Sequence, residues 1–181
     1  MELRDDVVRE AVAGDPQAFR EVYGVLAPKV LGYLRARGVQ DAEGLTSEVF
    51  LGVYPRLADL TGGAAGLRTL VFSVAHARAV DETRRQARRP ASFSYDPDLD
   101  ERSIDSAESH AVVSLEAARA VELMSQLNDD QRAVVTLRVI GDLSLEQTAA
   151  VTGKSVASVK QLQRRGLVRL RTLMASREAL R

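Results

Sequence analysis

The stretch from Ser144 to Arg171, SLEQTAAVTGKSVASVKQLQRRGLVRLR, decides the architecture of the last part of the chain. Gln147 follows Ser144 at the three-residue spacing of a capping box, which predicts a helix that begins here and ends near Gly153. Ser155 is placed to cap a second helix, and every charged residue from Ser155 to Arg171 is basic. Two helices joined by a short glycine-containing turn form a helix-turn-helix, whose second helix can enter a DNA major groove.

The two helices divide their residues between a packed face and a reading face. Apolar residues at helical spacing are expected to hold the pair together, namely Leu145, Ala149, Val151, Val156, Val159 and Leu162. Arg and Lys side chains contact guanine edges or phosphates, and Gln pairs with adenine. The predicted DNA-contacting residues are Ser155, Ser158, Lys160, Gln161, Arg164 and Arg165. A helical hairpin with a solvated basic face is the alternative interpretation, because cations near a helix C-terminus also complement its dipole.

The composition is typical of a helical protein and excludes several kinds of active site. The 181 residues are 45% hydrophobic and only 4% aromatic. Cysteine is absent, which excludes disulfides, thiolate metal ligands and a cysteine nucleophile. The two histidines, His76 and His110, are far apart in sequence, so we expect no metal site. Neither a glycine-rich phosphate loop nor a nucleophile elbow occurs, and we expect no catalytic residues, no cofactor and no enzymatic activity.

Hydropathy and cysteine usage predict a cytoplasmic protein. No run of 18 or more apolar residues occurs, so we expect no membrane insertion. The N-terminal residues MELRDDVVREAVAGD are acidic and amphipathic, unlike a secretory signal.

Charge is unevenly distributed, although 25 basic and 25 acidic side chains give a net charge of zero. The segment RRQARR at 84–89 is basic, the segment 96–108 is strongly acidic, and the C-terminal part is basic again. A protein without net charge lacks the long-range field that attracts phosphates, so we expect the free protein to bind DNA poorly.

A segment rich in proline, serine and aspartate, PASFSYDPDLDERSIDSAES at 90–109, separates two helical parts. Structureless loops of about twenty residues are uncommon inside compact domains, so we interpret this segment as a linker rather than as a surface loop. The predicted fold is all-α, with two small helical domains at 1–89 and 113–181 joined by an acidic flexible linker at 90–112.

Helix periodicity and capping residues predict the elements of both domains. In the first domain helices are expected over about 3–13, from Pro16 to Gly38 with Asp15 as cap, from Asp41 to Leu57, and from Leu67 to Arg88 after a flexible loop at Thr61–Gly66. The helix that starts at Leu67 is expected to bury Leu70, Val71, Val74 and Val80. In the second domain, helices at Ala111–Leu127 and from Asn128 or Asp129 to Val139 precede the helix-turn-helix.

Across nearly its whole length the chain resembles an extracytoplasmic-function (ECF) sigma factor, the small bacterial initiation subunit of RNA polymerase. Three segments resemble sigma region 2: GDPQAFREVYGVLAPKVLGYL at 14–34, DAEGLTSEVFLGVYPRL at 41–57 and LRTLVFSVAHARAVDETRRQARR at 67–89. The segment 123–174, which includes the helix-turn-helix, resembles region 4. Leu70 and the pair His76-Ala77 stand where the family pattern has Trp and Arg-Asn.

The resemblance implies three partners: promoter DNA, core RNA polymerase and an anti-sigma factor. Region 4 would read the −35 promoter element through Ser155–Arg165, and the polymerase contacts would be the β flap and the β′ clamp helices. The residues implied for the clamp helices are Asp41, Glu43, Leu45, Glu48 and Val49.

Region 2 is also implied to capture and melt the −10 element. The implied residues are Thr61, Gly62, Gly63, Arg68, His76, Arg78, Arg84, Arg85 and Arg88. The arginines would hold phosphates, and the Thr61–Gly66 loop would form the rim of a pocket for an extruded base. A solvated helix end and a plain turn are the alternative interpretations.

The linker has a length that suits this arrangement. Residues 90–112 would span roughly 75–80 Å when extended, at ~3.3–3.6 Å per residue. That length covers about two duplex turns of ~34–36 Å each, the scale on which the two promoter elements are separated in this family. The acidic residues 96–108 also suggest that the linker folds back on the basic recognition helix and competes with DNA.

Two other function classes remain open from the sequence. An autonomous helix-turn-helix regulator of the response-regulator output type would share the last helix pair, but its receiver domain would alternate strands and helices. A pure interaction module that tethers polymerase without reading DNA would leave the arginine runs without a role.

Overall fold

The computed structural model describes residues 3–88 and 118–178, and every regular element in these two ranges is helical, as predicted. The acidic linker and the start of the helix expected at Ala111 lie outside the described residues. The elements are α1 (Asp5–Val12), α2 (Pro16–Ala36), α3 (Ala42–Val53), a 3-10 helix (Tyr54–Asp59), α4 (Gly63–Arg88), α5 (118–125), α6 (Asp129–Val139), α7 (Leu145–Thr152) and α8 (Val156–Glu178).

Side-chain caps start the helices where the sequence predicts them. Asp15 Oδ1 accepts hydrogen bonds from the backbone N–H groups of Gln17 and Ala18, at 2.7 and 2.9 Å. The predicted capping box of α7 is present with both of its bonds, from Gln147 N–H to Ser144 Oγ at 3.1 Å and from Ser144 N–H to Gln147 Oε1 at 2.7 Å. Each cap satisfies backbone donors that a helix otherwise leaves unpaired at its first turn.

The start of α4 differs from the prediction. The helix begins at Gly63, inside the segment expected to be a loop, and not at Leu67. The reason is a cap from a distant residue: Asp5 Oδ1, on α1, accepts the Ala64 N–H at 2.7 Å. A partner 59 positions away in sequence leaves no local signal.

The larger core lies between α1, α2, α3 and α4. Its largest fully buried side chains include Tyr33, Phe72 and Leu67. Val71 and Val74 are buried and Leu70 packs against the core, as predicted, but Val80 is only half-buried. Phe72, Ala75 and Ala79 fill that face of α4 instead.

The second half of the chain packs directly on the first. Leu137 of α6 and Leu143, just before α7, are fully buried and belong to the same core as the first four helices. A smaller core of Val134, Ala149 and Val159 holds α6, α7 and α8 together, with Leu145, Val156 and Leu162 around it. Val151, predicted to pack between the helices of the helix-turn-helix, lies against the larger core.

Candidate nucleic-acid interface

The start of α8 is fixed by a short turn and a cap. Gly153 ends α7 in the left-handed conformation, at φ 67°, which glycine adopts without the steric cost a Cβ would add. Ser155 Oγ accepts the Ser158 N–H at 3.2 Å, and Val159 one turn later is fully buried. These contacts orient the first turns of α8 relative to α7.

The side of α8 away from the small core carries the predicted reading residues. Lys160, Gln161, Arg164 and Arg165 are exposed, as is Ser155, whereas Ser158 is half-buried. On the opposite side α8 lies so close to α6 that a Cβ added at Gly166 would come within 2.7 Å of Val135 Cγ2. A helix anchored on one side, with cations and an amide exposed on the other, can enter a major groove.

A second basic cluster lies at the C-terminal end of α4. Arg84, Arg85 and Arg88 line a shallow depression of about 350 Å³ together with Asp81. Arg84 pairs with Asp81 at 3.9 Å and Arg85 with Glu82 at 2.8 Å. Exposed pairs of this kind contribute little stability, so they leave the guanidinium groups available to phosphates.

A cleft of about 570 Å³ adjoins the turn before α4. Its walls mix polar and apolar side chains: Arg56, Asp59, Leu60, Thr61, Gly66, Thr69, Leu70 and Ser73. Gly62 and Gly63 both have positive φ, and a Cβ on Gly66 would overlap the Thr61 carbonyl oxygen. The glycines of this segment therefore form one tight turn at the rim of the cleft, with the predicted Thr61, Gly62 and Gly63 on it.

Two residues predicted to contact the −10 element are engaged elsewhere. The Arg68 side chain is only 15% exposed, and its Nη1 donates to the backbone oxygen and to Oδ2 of Asp142 at 3.1 and 3.2 Å. The predicted Arg78 pairs with Glu48 at 3.5 Å and remains substantially exposed.

His76 is half-buried on α4 and faces α2. Its Nδ1 lies 2.8 Å from the Tyr33 hydroxyl. Burial, reinforced by the positive charge of Arg37, lowers the pKa of His76 to about 4. A neutral, hydrogen-bonded imidazole offers no charge to a phosphate, and the contact of His76 with the −10 element stays a prediction.

The surface of α3 holds most of the residues implied for polymerase binding. Asp41 caps the helix through the Gly44 N–H at 2.8 Å, and Glu43 and Glu48 are exposed, paired with Arg35 and Arg78 respectively. Leu45 is half-buried. Val49 is fully buried in the core, so it is not accessible to a partner.

Sequence reasoning missed an apolar surface beside these residues. Leu51 and Tyr54 are 74% and 59% exposed and lie three positions apart, a spacing that places them on one face. A groove of about 370 Å³ between α2 and α3 is lined by Tyr23, Gly24, Ala27, Pro28, Leu31, Glu43, Thr46 and Ser47. The signal in the sequence was Leu51, an apolar residue that directly follows the buried Phe50 and so points to another side of α3.

Within 3–88 and 118–178, no cluster of His, Asp and Glu side chains is arranged to hold a metal ion. None of the helices in these ranges is long and apolar enough to cross a membrane.

Comparison with known proteins places similar sequences and a similar structure in one family. Residues 123–172 match the family model described as Sigma-70, region 4. The ECF RNA polymerase sigma factor ShbA of Streptomyces griseus is 32% identical over 188 residues, covering 94% of this chain and 98% of that protein. The ECF RNA polymerase sigma factor SigD of Mycobacterium tuberculosis is 33% identical over 177 residues, covering 94% of this chain and 83% of that protein. The solved structure of CnrH in complex with the cytosolic domain of CnrY shares the fold, with a TM-score of 0.68 and 20% identity over 95% of this chain and 97% of that one.

Proposed function

The chain belongs to the family of ECF RNA polymerase sigma factors, and we propose that it binds core RNA polymerase and directs initiation at promoters with matching −35 and −10 elements. The observation that carries this proposal is the exposed reading face of α8. Its donors are held by a helix-turn-helix whose opposite side is packed on α6. In this assignment residues 113–181 serve the −35 element and residues 1–89 serve the −10 element and the polymerase.

At the −35 element, Lys160, Gln161, Arg164 and Arg165 are proposed to contact bases or phosphates. Four exposed donors over six positions of one helix suit a major groove, because Arg and Lys recognise guanine and Gln recognises adenine. Ser155 precedes the first turn of α8 and Ser158 lies in it, where hydroxyls and the backbone N–H groups that Ser155 does not cap can contact a phosphate.

At the −10 element, the cleft beside Thr61–Gly66 is proposed to receive a base extruded from the duplex. Its apolar residues Leu60 and Leu70 would contact the base faces, and the Thr61 hydroxyl and the hydroxyl oxygens of Thr69 and Ser73, whose hydrogens go to backbone carbonyls, would face its edges. Extruding a base costs a few kcal/mol, which such contacts must offset. Arg84, Arg85 and Arg88 would hold the phosphates that follow along α4.

For the polymerase, the proposed contact surface is the exposed side of α3 with its neighbours: Asp41, Glu43, Leu45, Glu48, Leu51 and Tyr54. It combines acidic side chains with exposed apolar ones. A hydrophobic centre with a charged rim suits a protein partner. Its occupants in the cell are expected to be the β′ clamp helices and, in competition, an anti-sigma factor. The protein is expected to act in the cytoplasm as a specificity subunit without catalytic activity of its own.

The test is run-off transcription on a promoter library with purified core RNA polymerase, with and without this protein. We expect transcripts whose start sites share two upstream motifs at fixed spacing. The double variant Arg164→Ala/Arg165→Ala should lose dependence on the upstream motif, whereas Arg20→Ala, an exposed arginine on α2, should behave as wild type. Absence of transcripts together with tight sequence-specific binding by the protein alone would favour an autonomous regulator, a function that the relatives and the all-helical residues 3–88 do not support.

A further inference from the structure

The first turns of α4 carry a pair of hydrogen-bond acceptors at the edge of the cleft beside Thr61–Gly66. The Ala65 carbonyl oxygen and Thr69 Oγ1 both accept a hydrogen bond from one nitrogen, Nε2 of Gln147 on α7, each at 2.9 Å. Thr69 also lines the cleft. The amide nitrogen of glutamine carries two hydrogens, so these two oxygens together accept a planar –NH2 group.

We propose that Ala65 and Thr69 select the extruded base by its exocyclic amino group, so that the cleft takes an amino base, cytosine or adenine, in preference to thymine or guanine. This inference rests on the proposed function, because it names the class of base that the −10 cleft receives. Cytosine and adenine carry an amino group where thymine and guanine carry a keto oxygen. An amino group can donate to both acceptors, whereas a keto oxygen would leave both without a hydrogen bond.

The hydroxyl groups on this wall of the cleft are fixed as acceptors. Thr69 Oγ1 donates its hydrogen to the Ala65 carbonyl oxygen at 2.9 Å, and Ser73 Oγ donates to the Thr69 carbonyl oxygen at 2.8 Å. A hydroxyl has one hydrogen and two lone pairs, so each oxygen can only accept from a ligand while its hydrogen is engaged. The Asp59 carboxylate, which lines the same cleft, is a further acceptor. A freely rotating hydroxyl would suit an amino or a keto group equally, whereas this wall suits the amino group.

Donors in the same cleft suit the rest of the edge of an amino base. In cytosine and adenine the ring nitrogen beside the amino group is an acceptor, whereas in thymine and guanine the ring nitrogen beside the keto oxygen carries a hydrogen. The Arg56 guanidinium lines the cleft and has only donors to offer, and the Thr61 hydroxyl can also donate. An amino base thus presents a donor to the acceptor pair and an acceptor to these donors, and a keto base reverses both.

The apolar walls of the cleft make these hydrogen bonds discriminating. Leu60 and Leu70 line the cleft and pack against the larger core, which holds both side chains in place. A base that lies against them is shielded from water, so water cannot compensate a polar group that the wrong base leaves unpaired. A site built to hydrogen-bond an N–H group rejects an analogue that lacks it for the same reason.

The sharpest variant is Thr69→Val, which removes the acceptor oxygen and keeps nearly the same side-chain shape. Thr69→Ser restores the oxygen and should restore the preference for an amino base. Thr83→Val is the matched control, because Thr83 lies on the same helix and its Oγ1 donates to the Ala79 carbonyl oxygen at 2.9 Å, the same bond that Thr69 makes to Ala65. Thr83 does not belong to the lining of the cleft.

The measurement is the affinity of core RNA polymerase loaded with the full-length protein for single-stranded −10 oligonucleotides, taken from a promoter found by run-off transcription. Each position of the element is changed to all four bases. At a position that prefers cytosine or adenine, the base is then replaced by pyrimidin-2-one or by purine, which lack only the amino group. These two analogues also show which of the two amino bases the cleft takes.

We expect one position at which the wild-type protein binds the amino base about five- to tenfold more tightly than the keto bases or the analogue, as the loss of one hydrogen bond implies. Thr69→Val should lose this preference at that position alone, whereas Thr69→Ser and Thr83→Val should keep it. Each comparison is between two oligonucleotides on one variant, so changes in the stability of the variant or in the Gln147 contact cancel.

Three results would overturn the selection of an amino base by this pair. They are a preference for thymine or guanine at the position that responds to Thr69→Val, an amino preference that Thr69→Val leaves unchanged, and the lack of any position that responds to this variant. All three leave the proposed function intact, because the wild-type protein still directs initiation. Failure of the wild-type protein to support transcription with core polymerase would instead overturn the proposed function, and this inference with it.

Discussion

The Tyr33 hydroxyl and Nδ1 of His76 lie 2.8 Å apart and share a hydrogen bond between α2 and α4. Burial raises the pKa of Tyr33 and lowers that of His76, so both groups are neutral when the protein is folded at neutral pH. The charged groups that influence His76 are Arg37 just after α2, Asp130 from α6 and Lys154 from the turn before α8.

Acid is expected to destabilise the fold through His76. Its folded pKa of about 4 lies below the ordinary value of 6.5, so the unfolded state binds the proton more readily. The contribution of His76 to the free energy of unfolding is fully present above about pH 6.5 and is lost as the pH drops towards 4. The loss amounts to about 2 kcal/mol between pH 7.5 and pH 5. Urea unfolding at both pH values measures the loss.

His76→Asn keeps a hydrogen-bond acceptor for Tyr33 but cannot titrate, so its unfolding free energy should change less over the same pH interval. The chain's other histidine supplies the control, and His110→Asn should retain the wild-type pH dependence. An unaltered pH dependence in His76→Asn would assign the effect to other groups.

Asp5 is expected to stabilise the start of α4. Its carboxylate caps the Ala64 N–H at 2.7 Å, across 59 positions of sequence. Asp5→Ala should lower the free energy of unfolding by about 1 kcal/mol, the usual cost of losing a helix cap, and should loosen the turn at the −10 cleft. Asp6→Ala, which removes only an exposed ion pair with Arg4 at 3.6 Å, should cost less than about 0.5 kcal/mol. Chemical denaturation measures the free energy of unfolding of both variants. Equal losses of that free energy in the two variants would argue against the cap.

Two glycine-to-alanine substitutions should act in opposite directions. In Gly66→Ala the new Cβ would overlap the Thr61 carbonyl oxygen, so we expect a loss of about 1–3 kcal/mol and a weaker −10 interaction. Gly24 is exposed within α2, and a Cβ there meets no atom within 4 Å. Gly24→Ala should therefore raise stability by about 0.5–1 kcal/mol, because alanine loses less backbone entropy in a helix. Thermal unfolding of both variants and wild type tests this prediction. A Gly66→Ala protein as stable as wild type would show that the turn can rearrange.

Local patterns predicted most of the helices and the division of the helix-turn-helix into a packed and an exposed face. The caps at Asp15 and Ser144 act within three residues of their partners, so their sequence signals are complete. The Asp5 cap and the contacts of Gln147 with α4 join residues 59 and about 80 positions apart, and no local pattern encodes them. Val49 was assigned to a partner surface on the resemblance alone, and the structure instead buries it fully in the core.

The three arginines at the end of α4 are expected to determine much of the salt dependence of promoter binding. Each phosphate contact on single-stranded DNA contributes ~0.7 to the slope of log affinity against log salt concentration. The triple variant Arg84→Ala/Arg85→Ala/Arg88→Ala should therefore reduce that slope by about 2 for polymerase loaded with the variant, measured by fluorescence anisotropy on a −10 oligonucleotide over a range of salt concentrations.

The control for this prediction removes the same charge elsewhere. Arg9, Arg20 and Arg119 are exposed on α1, α2 and α5, and none of them belongs to α4 or α8. Their triple alanine variant has the same net charge as the test variant, so it separates the general field of the protein from specific phosphate contacts. A general field effect would reduce the slope equally in both variants and would contradict the proposed contacts. A reduction confined to the α4 variant would support a phosphate path that leads from the cleft along the end of α4.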